Sequence, residues 1–392
     1  MSRPILIINR GLPVPPVLGG AVATLIESYH SKTELDTHCL SVWHAAVGRS
    51  QAGYHHVNID KEYNRLMSAL NGKMPVGLEE PGRLRRFCYQ SGISDVIAEI
   101  EPSLLVVHNG PEYILYLSKM HPEIPIVLVL HNSLRGLKGE VPSPPESLRA
   151  IVSVSSNLES QSVSGIPTFS ALSQVIRNGI DVDFWNQPNS VRVRDLSSSL
   201  GIKDAPVVIF VGRVRQIKGP DILVKAMRLV RQEHPQARLL MIGTPTFLAQ
   251  TESPYMTQVR ESFDAKDTAL GYVPNEELRD YLALADLVAV PSQFKDPLPT
   301  VVLEAMAANV PVVGSAIGGI PEMIETNKTG LLVEDHAAPA AWATAISEIL
   351  GSPSKARAMA AAARRRVTSE FNAKSWVKKY DACFNSVIES VT

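Results

Sequence analysis

The chain has 392 residues, 45% hydrophobic and 20% charged, with 38 Lys+Arg set against 39 Asp+Glu. At about 150 residues per domain, this length predicts two domains, each able to bury its own core, and the ordinary charge content excludes an intrinsically disordered chain. A formal net charge of -1 gives no reason to expect a nucleic acid as partner, and three widely spaced cysteines (Cys39, Cys88, Cys383) suggest neither a disulfide framework nor a zinc site.

In chain order, Ile5–Ile8, Thr37–Val42, Leu104–Val107, Ile126–Leu130 and Ile151–Val154 read as buried strands of a first half. Val207–Val211, Leu239–Ile242, Leu287–Val290, Pro311–Val313 and Gly330–Val333 follow in a second half. Apolar runs of four to six residues separated by helical segments predict parallel strands covered on both faces, hence two doubly wound α/β domains. The junction falls between Arg177 and Leu200, where Asn178-Gly179 precedes polar residues and a serine run. An Ala- and Arg-rich stretch after Gly351 leads to a last helix, Ala373 to Val391. In that helix Trp376, Val377, Tyr380, Cys383 and Phe384 form one apolar stripe. The run Ile5 to Ile8 is too short for a signal-peptide core, and no stretch approaches the ~20 residues of a membrane span, so a cytoplasmic protein is expected.

Ligands of parallel sheets sit at the carboxyl ends of strands, where helix N-termini present free N–H groups. After the first strand, Gly19-Gly20 precedes a helix and either admits close approach of a ligand or makes a plain tight turn. After the first strand of the second half, Arg213 follows the strand directly and Lys218 opens the next helix, with Pro220 in its first turn. Two cations there suit a pyrophosphate, although a solvated basic loop would look the same in isolation. The stretch Asp296 to Met306 starts a helix at Pro299-Thr300, so that N–H groups near Val301 are free of intrahelical partners. Glu304 lies one turn inside, in apolar company that is costly for a carboxylate without a partner. Asp296, eight residues earlier, is too far to share a proton with Glu304. The two acids instead hold different parts of one elongated, hydroxyl-rich ligand, or Glu304 is a buried structural acid. His131 and His108 each follow a strand and are either ligand groups or satisfied polar residues. Asp181-Val182-Asp183 matches a metal-binding D-x-D but falls in the linker, so no metal site is assigned.

Together these pieces resemble the GT4 family of retaining, GT-B-fold glycosyltransferases. Carrying the resemblance are Gly19-Gly20, Val175 to Asp181, Val211-Gly212-Arg213 with Lys218-Gly219, Leu270 to Pro274, Asp296 to Glu304 as an E-x7-E motif, and Gly318 to Glu322. The first half looks closest to bacterial cell-surface and lipopolysaccharide-type glucosyltransferases. The sequence departs from the family pattern at Asp296, Leu298-Pro299, Arg177 and Asn132.

The resemblance implies two Rossmann-like domains facing a cleft: residues 1–178 on the acceptor side and 179–370 for the nucleotide sugar. Residues 371–392 are expected to pack back on the first. It further implies that His131 and Asp296 face the donor sugar and that Tyr272 and Val273 receive the base. Leu298, Thr300 and Val301 line the donor, Glu304 takes the ribose, and Arg213 and Lys218 clamp the diphosphate. The expected reaction moves a hexose from a UDP-sugar, UDP-glucose or UDP-GlcNAc, to a hydroxyl acceptor in cell-surface glycan or glycoconjugate synthesis, with no metal and no cofactor. A nucleotide-sugar epimerase of the same architecture and a catalytically degenerate sugar-binding or coat protein are the rival readings. Arg83, Arg85 and Arg86, interleaved with Leu84 and Phe87, form either a solvated helix face or a peripheral contact with an anionic membrane on its inner face.

Overall fold

The apolar runs of the first half become strands because a parallel sheet buries both of its faces, so that every position must tolerate the core. In the computed structural model, which describes residues 3–9, 13–14, 16, 20–42, 52–69, 81–133, 144–163, 167–170, 172–245 and 253–391, β1 (Ile5–Asn9), β2 (Thr37–Val42), β3 (Tyr54–Val57), β4 (Leu104–His108), β5 (Ile126–Leu130), β6 (Leu148–Ser153) and β7 (Ser173–Val175) form one sheet. Its order is β3-β2-β1-β4-β5-β6-β7, and its ladders are parallel. The order reverses between β1 and β4, the point at which a doubly wound sheet opens a crevice for ligand.

A second sheet is built from β8 (Val207–Val211), β9 (Arg238–Ile242), β10 (Asp267–Gly271), β11 (Leu287–Val290), β12 (Val312–Ser315) and β13 (Leu331–Val333). Its order, β10-β9-β8-β11-β12-β13, reverses between β8 and β11. The ten predicted strands are all present. Three more, β3, β7 and β10, were not predicted, and each lies at the edge of its sheet. An edge strand needs no continuous apolar run, and Tyr-His-His-Val, Ser-Gln-Val and Asp-Thr-Ala-Leu-Gly have none.

The chain divides into two units, Met1–Arg177 with Trp376–Thr392, and Asn178–Ser375. Within the second, Ile180 donates to Phe371 O at 2.8 Å and accepts from Ala373 N at 2.9 Å, tying that unit's first and last segments together. Among the described residues, no helix is long and apolar enough to cross a membrane.

The last helix, Ala373–Glu389, completes the core of the first unit. Trp376, Tyr380 and Phe384 pack with Ile5, Ile7, Val106 and Val129 of the sheet and with Tyr29 of the helix Ala21–His30. The Tyr29 ring meets Trp376 edge-on at 6.1 Å and Phe384 edge-on at 5.7 Å, a geometry worth about 0.5–1.5 kcal/mol per pair beyond area burial. The Tyr29 hydroxyl, whose burial would otherwise be costly, donates to Asp381 Oδ1 at 2.7 Å. Phe384→Ala is therefore expected to cost about 3–5 kcal/mol. It should lower the urea midpoint of the first unit's transition, and an unchanged midpoint would show that the helix does not close this core.

Candidate active site

The chain leaves β8 through Gly212-Arg213, turns through a short 3-10 segment Gln216–Lys218, and enters the helix Pro220–Glu233. Gly219, between them, is left-handed (φ 66°), and a Cβ there would lie 2.1 Å from the carbonyl oxygen of Pro291, so only glycine fits. This close approach, together with the Gln293 N–H bond to Ile217 O (2.8 Å), seats Lys218 against the loop that follows β11. Gln293 fixes that loop from its other side by donating its amide to Pro291 O and His336 O, both at 2.8 Å.

The loop carries Asp296, which is only 5% exposed. Its carboxylate pairs with the Lys218 ammonium and accepts from the Ser292 hydroxyl at 3.3 Å. The ammonium also stands 5.0 Å over the Phe294 ring. The Asp296 backbone is held by the Gly318-Gly319 turn: Gly319 N–H donates to Asp296 O at 2.7 Å, and a Cβ on the left-handed Gly318 would lie 2.4 Å from that oxygen. Sequence reading placed Lys218 and Asp296 on different parts of a ligand; in the structure they pair with each other. It also missed Ser292, Gln293 and Phe294, whose only signal was their place after a strand.

Arg213 is half-buried. Burial, then the nearby Arg215 charge, lower its pKa from the ordinary value, while Asp296 opposes this. The Asp296 loop runs directly into the helix Thr300–Ala307, with Pro299 at the N-cap position and no side-chain cap. The N–H groups of Thr300 and Val301 precede the helix's first backbone bond, Val302 N–H to Pro299 O at 3.2 Å, and the positive dipole end there favours an anion. Leu298 is buried and Thr300 and Val301 are half-buried. One turn inside, Glu304 is 9% exposed. Burial pushes its carboxyl up to about 7, opposed by a hydrogen bond with Thr300. Beyond β10, the half-exposed Tyr272 precedes the buried Val273, and Gly243 N–H fastens this loop through Gly271 O at 2.7 Å. Arg213, Lys218, Asp296 and the start of the helix at Thr300 thus gather at the carboxyl edge of one sheet, around its β8/β11 switch point. Such an edge can hold an anionic group beside a hydroxyl-rich one.

Among the described residues, no group of three or more His, Cys, Asp and Glu is arranged to hold a metal ion. Asp181 of the D-x-D caps a short helix, accepting from Phe184 N at 3.1 Å.

In the first unit, His108 ends β4 and His131 follows β5. Their rings stack at 5.1 Å, with His108 Nδ1 2.9 Å from His131 Nε2. The left-handed Asn109 accepts from the backbone N–H groups of His131 (2.7 Å) and Asn132 (3.0 Å), fixing the loop that presents the second ring. Gly20 precedes the helix Ala21–His30, whereas Gly19 lies outside the described residues. Burial pushes His131 down to about 4, and burial followed by the neighbouring His131 holds His108 well below the usual range. Both rings are therefore neutral near pH 7, one nitrogen of the facing pair donating and the other accepting.

This pair sets a pH dependence. The unfolded chain protonates its histidines near pH 6.5, before the folded one does, so their contribution is complete above about pH 6.5 and is lost as pH falls towards 4. The first unit is expected to lose on the order of 3 kcal/mol over that window. His131→Asn should flatten the curve measured by urea unfolding at several pH values, and an equally steep curve in the variant would refute the assignment.

Residues 193–366 match the family model described as glycosyl transferases, group 1. Spore coat protein SA of Bacillus subtilis (strain 168) is 26% identical over 93% of this chain and 94% of its own. D-inositol 3-phosphate glycosyltransferase of Kineococcus radiotolerans is 35% identical over 49% of this chain and 47% of its own. The crystal structure of Anabaena HepE in complex with UDP-glucose covers 98% of this chain and 100% of that one, with a TM-score of 0.73 at 18% identity. That likeness is one of fold, and the fold is GT-B. Residues 193–366 thus carry the signature of the group 1 glycosyl transferases, on a chain whose two α/β units have the GT-B fold.

Proposed function

We propose that the second unit binds a UDP-sugar and that the enzyme transfers its hexose, with retention and without a metal ion, to a hydroxyl acceptor in glycan or glycoconjugate synthesis. The observation that carries this reading is the sheet edge where Arg213, Lys218 and the start of the helix at Thr300 stand beside the buried acids Asp296 and Glu304. The cations and the helix start supply, without a divalent ion, the positive field that a departing diphosphate needs. Glu304 takes the ribose hydroxyls, Tyr272 and Val273 the base, and Asp296 a hexose hydroxyl. A UDP-glucose complex in a neighbour of the same fold supports the choice of nucleotide.

In this reading the acceptor oxygen bonds to the anomeric carbon on the face from which the diphosphate leaves. The acceptor's proton passes to the departing phosphate oxygen, so no protein nucleophile is needed. Replacing Arg213 or Lys218 by Ala should lower transfer at least 100-fold, or about 3 kcal/mol of transition-state stabilisation. Near-full turnover in both single variants would overturn the clamp. A binding-only reading draws on the relative named spore coat protein SA; it predicts nucleotide binding with no turnover on any donor.

Glu304 provides a second test. Ribose hydroxyls favour its ionised form, so UDP binding should release protons near pH 6.5, where burial keeps part of the carboxyl protonated, and release none at pH 8.5. UDP has its own titrating phosphate, so calorimetry in buffers of different ionisation enthalpy should compare wild type with Glu304→Gln. Equal proton release in the two proteins would remove Glu304 from the ribose.

Arg83, Arg85 and Arg86 are exposed on the helix Pro81–Ile100, beside Phe87 at 40% exposure. They offer a peripheral contact for an anionic membrane, at about 1 kcal/mol per cation.

A further inference from the structure

The ion pair between Lys218 and Asp296 joins the two groups that the proposed reaction uses separately, one for the diphosphate and one for the hexose. Asp296 is buried, and its loop is held by Ser292, by Gln293 and by the Gly318-Gly319 turn. The carboxylate is therefore the fixed partner. Lys218 sits at the end of a flexible four-carbon stem, with its side chain 19% exposed, and is the partner able to move. A diphosphate that recruits this ammonium must take it from Asp296 and leave a buried carboxylate without its counter-charge, which is costly. A donor hexose removes that cost, because its hydroxyl donates to the carboxylate that the ammonium has left. Spent nucleotide has no such hydroxyl to offer.

We propose that Asp296 acts as a latch on Lys218, competing with the diphosphate for the ammonium, so that the site holds the intact nucleotide sugar in preference to the nucleotide left after transfer. This rests on the reading of the site given above and assigns Asp296 a second task within it. When the hexose occupies Asp296, Lys218 turns to the diphosphate. When the hexose has gone, Asp296 draws Lys218 back and the product is released. The latch is a specificity device acting between donor and product, and its signature is a gain in product affinity when the carboxylate is neutralised.

The test is calorimetry on the full chain with UDP and with UDP-glucose, for wild type, Asp296→Asn, Lys218→Met and the double variant. Asp296→Asn should bind UDP at least tenfold more tightly than wild type while gaining nothing for UDP-glucose, and UDP should become the stronger product inhibitor by the same factor. In the Lys218→Met background the same substitution should change UDP affinity less than twofold, since no ammonium remains to be contested. Asp296→Ser repeats the measurement should the asparagine variant fold poorly. Unchanged or weaker UDP binding in both Asp296 variants would overturn the latch and leave the nucleotide site standing. An equal gain with and without Lys218 would also overturn it, because that gain would come from the removed negative charge alone. Absence of UDP and UDP-glucose binding in every protein would overturn the donor reading itself, and the latch with it.

Discussion

A carboxylate buried at the end of a parallel sheet must find a positive partner, and the second unit is arranged around that requirement. Asp296 meets it with Lys218, 78 positions earlier in the chain. Two backbone contacts that no side chain would allow make the meeting possible, Gly219 against Pro291 and Gly318 against Asp296. Gln293 and the Gly319 N–H bond then lock the loop that holds the acid. The same loop feeds the helix Thr300–Ala307, so the position of the ion pair also sets the position of a helix N-terminus.

The two units share a sheet architecture but solve the problem of buried polarity differently. In the second, opposite charges pair at the sheet edge. In the first, two neutral imidazoles pair instead, His108 and His131, and the left-handed Asn109 shapes the loop between strand and ring. Neutral pairing avoids the desolvation of a charge, at the expense of losing stability once acid protonates the rings. A hydrophobic cluster lies beneath, and in the first unit the last helix supplies much of its aromatic part.

Most of the fold was legible because interior parallel strands are written as unbroken apolar runs. Val207–Val211 and Ile126–Leu130 match the structure residue for residue. Edge strands lack that signature: β10 reads Asp-Thr-Ala-Leu-Gly and is held by a neighbour on one side only. For the proposed site, residue types and their place after strands singled out Arg213, Lys218, Asp296 and Glu304. Their mutual arrangement was not legible. No local pattern says that Lys218 reaches Asp296, because loop packing decides it. The protonation of Glu304 is likewise a property of the closed core around its helix, which shifts the carboxyl up to about 7. The partnership of His108 with His131 depends on the adjacency of β4 and β5, which spacing along the chain does not encode.

The central claim, that this sheet edge works on a nucleotide sugar, is tested most directly by incubating the purified protein with a panel of UDP-, GDP- and ADP-sugars and measuring the free nucleotide released, with and without hydroxyl acceptors. The account predicts release from a UDP-hexose that depends on the acceptor and is lost together with Lys218 or Arg213. Conversion of the sugar with no nucleotide released and no acceptor needed, or release that is indifferent to both cations, would contradict it.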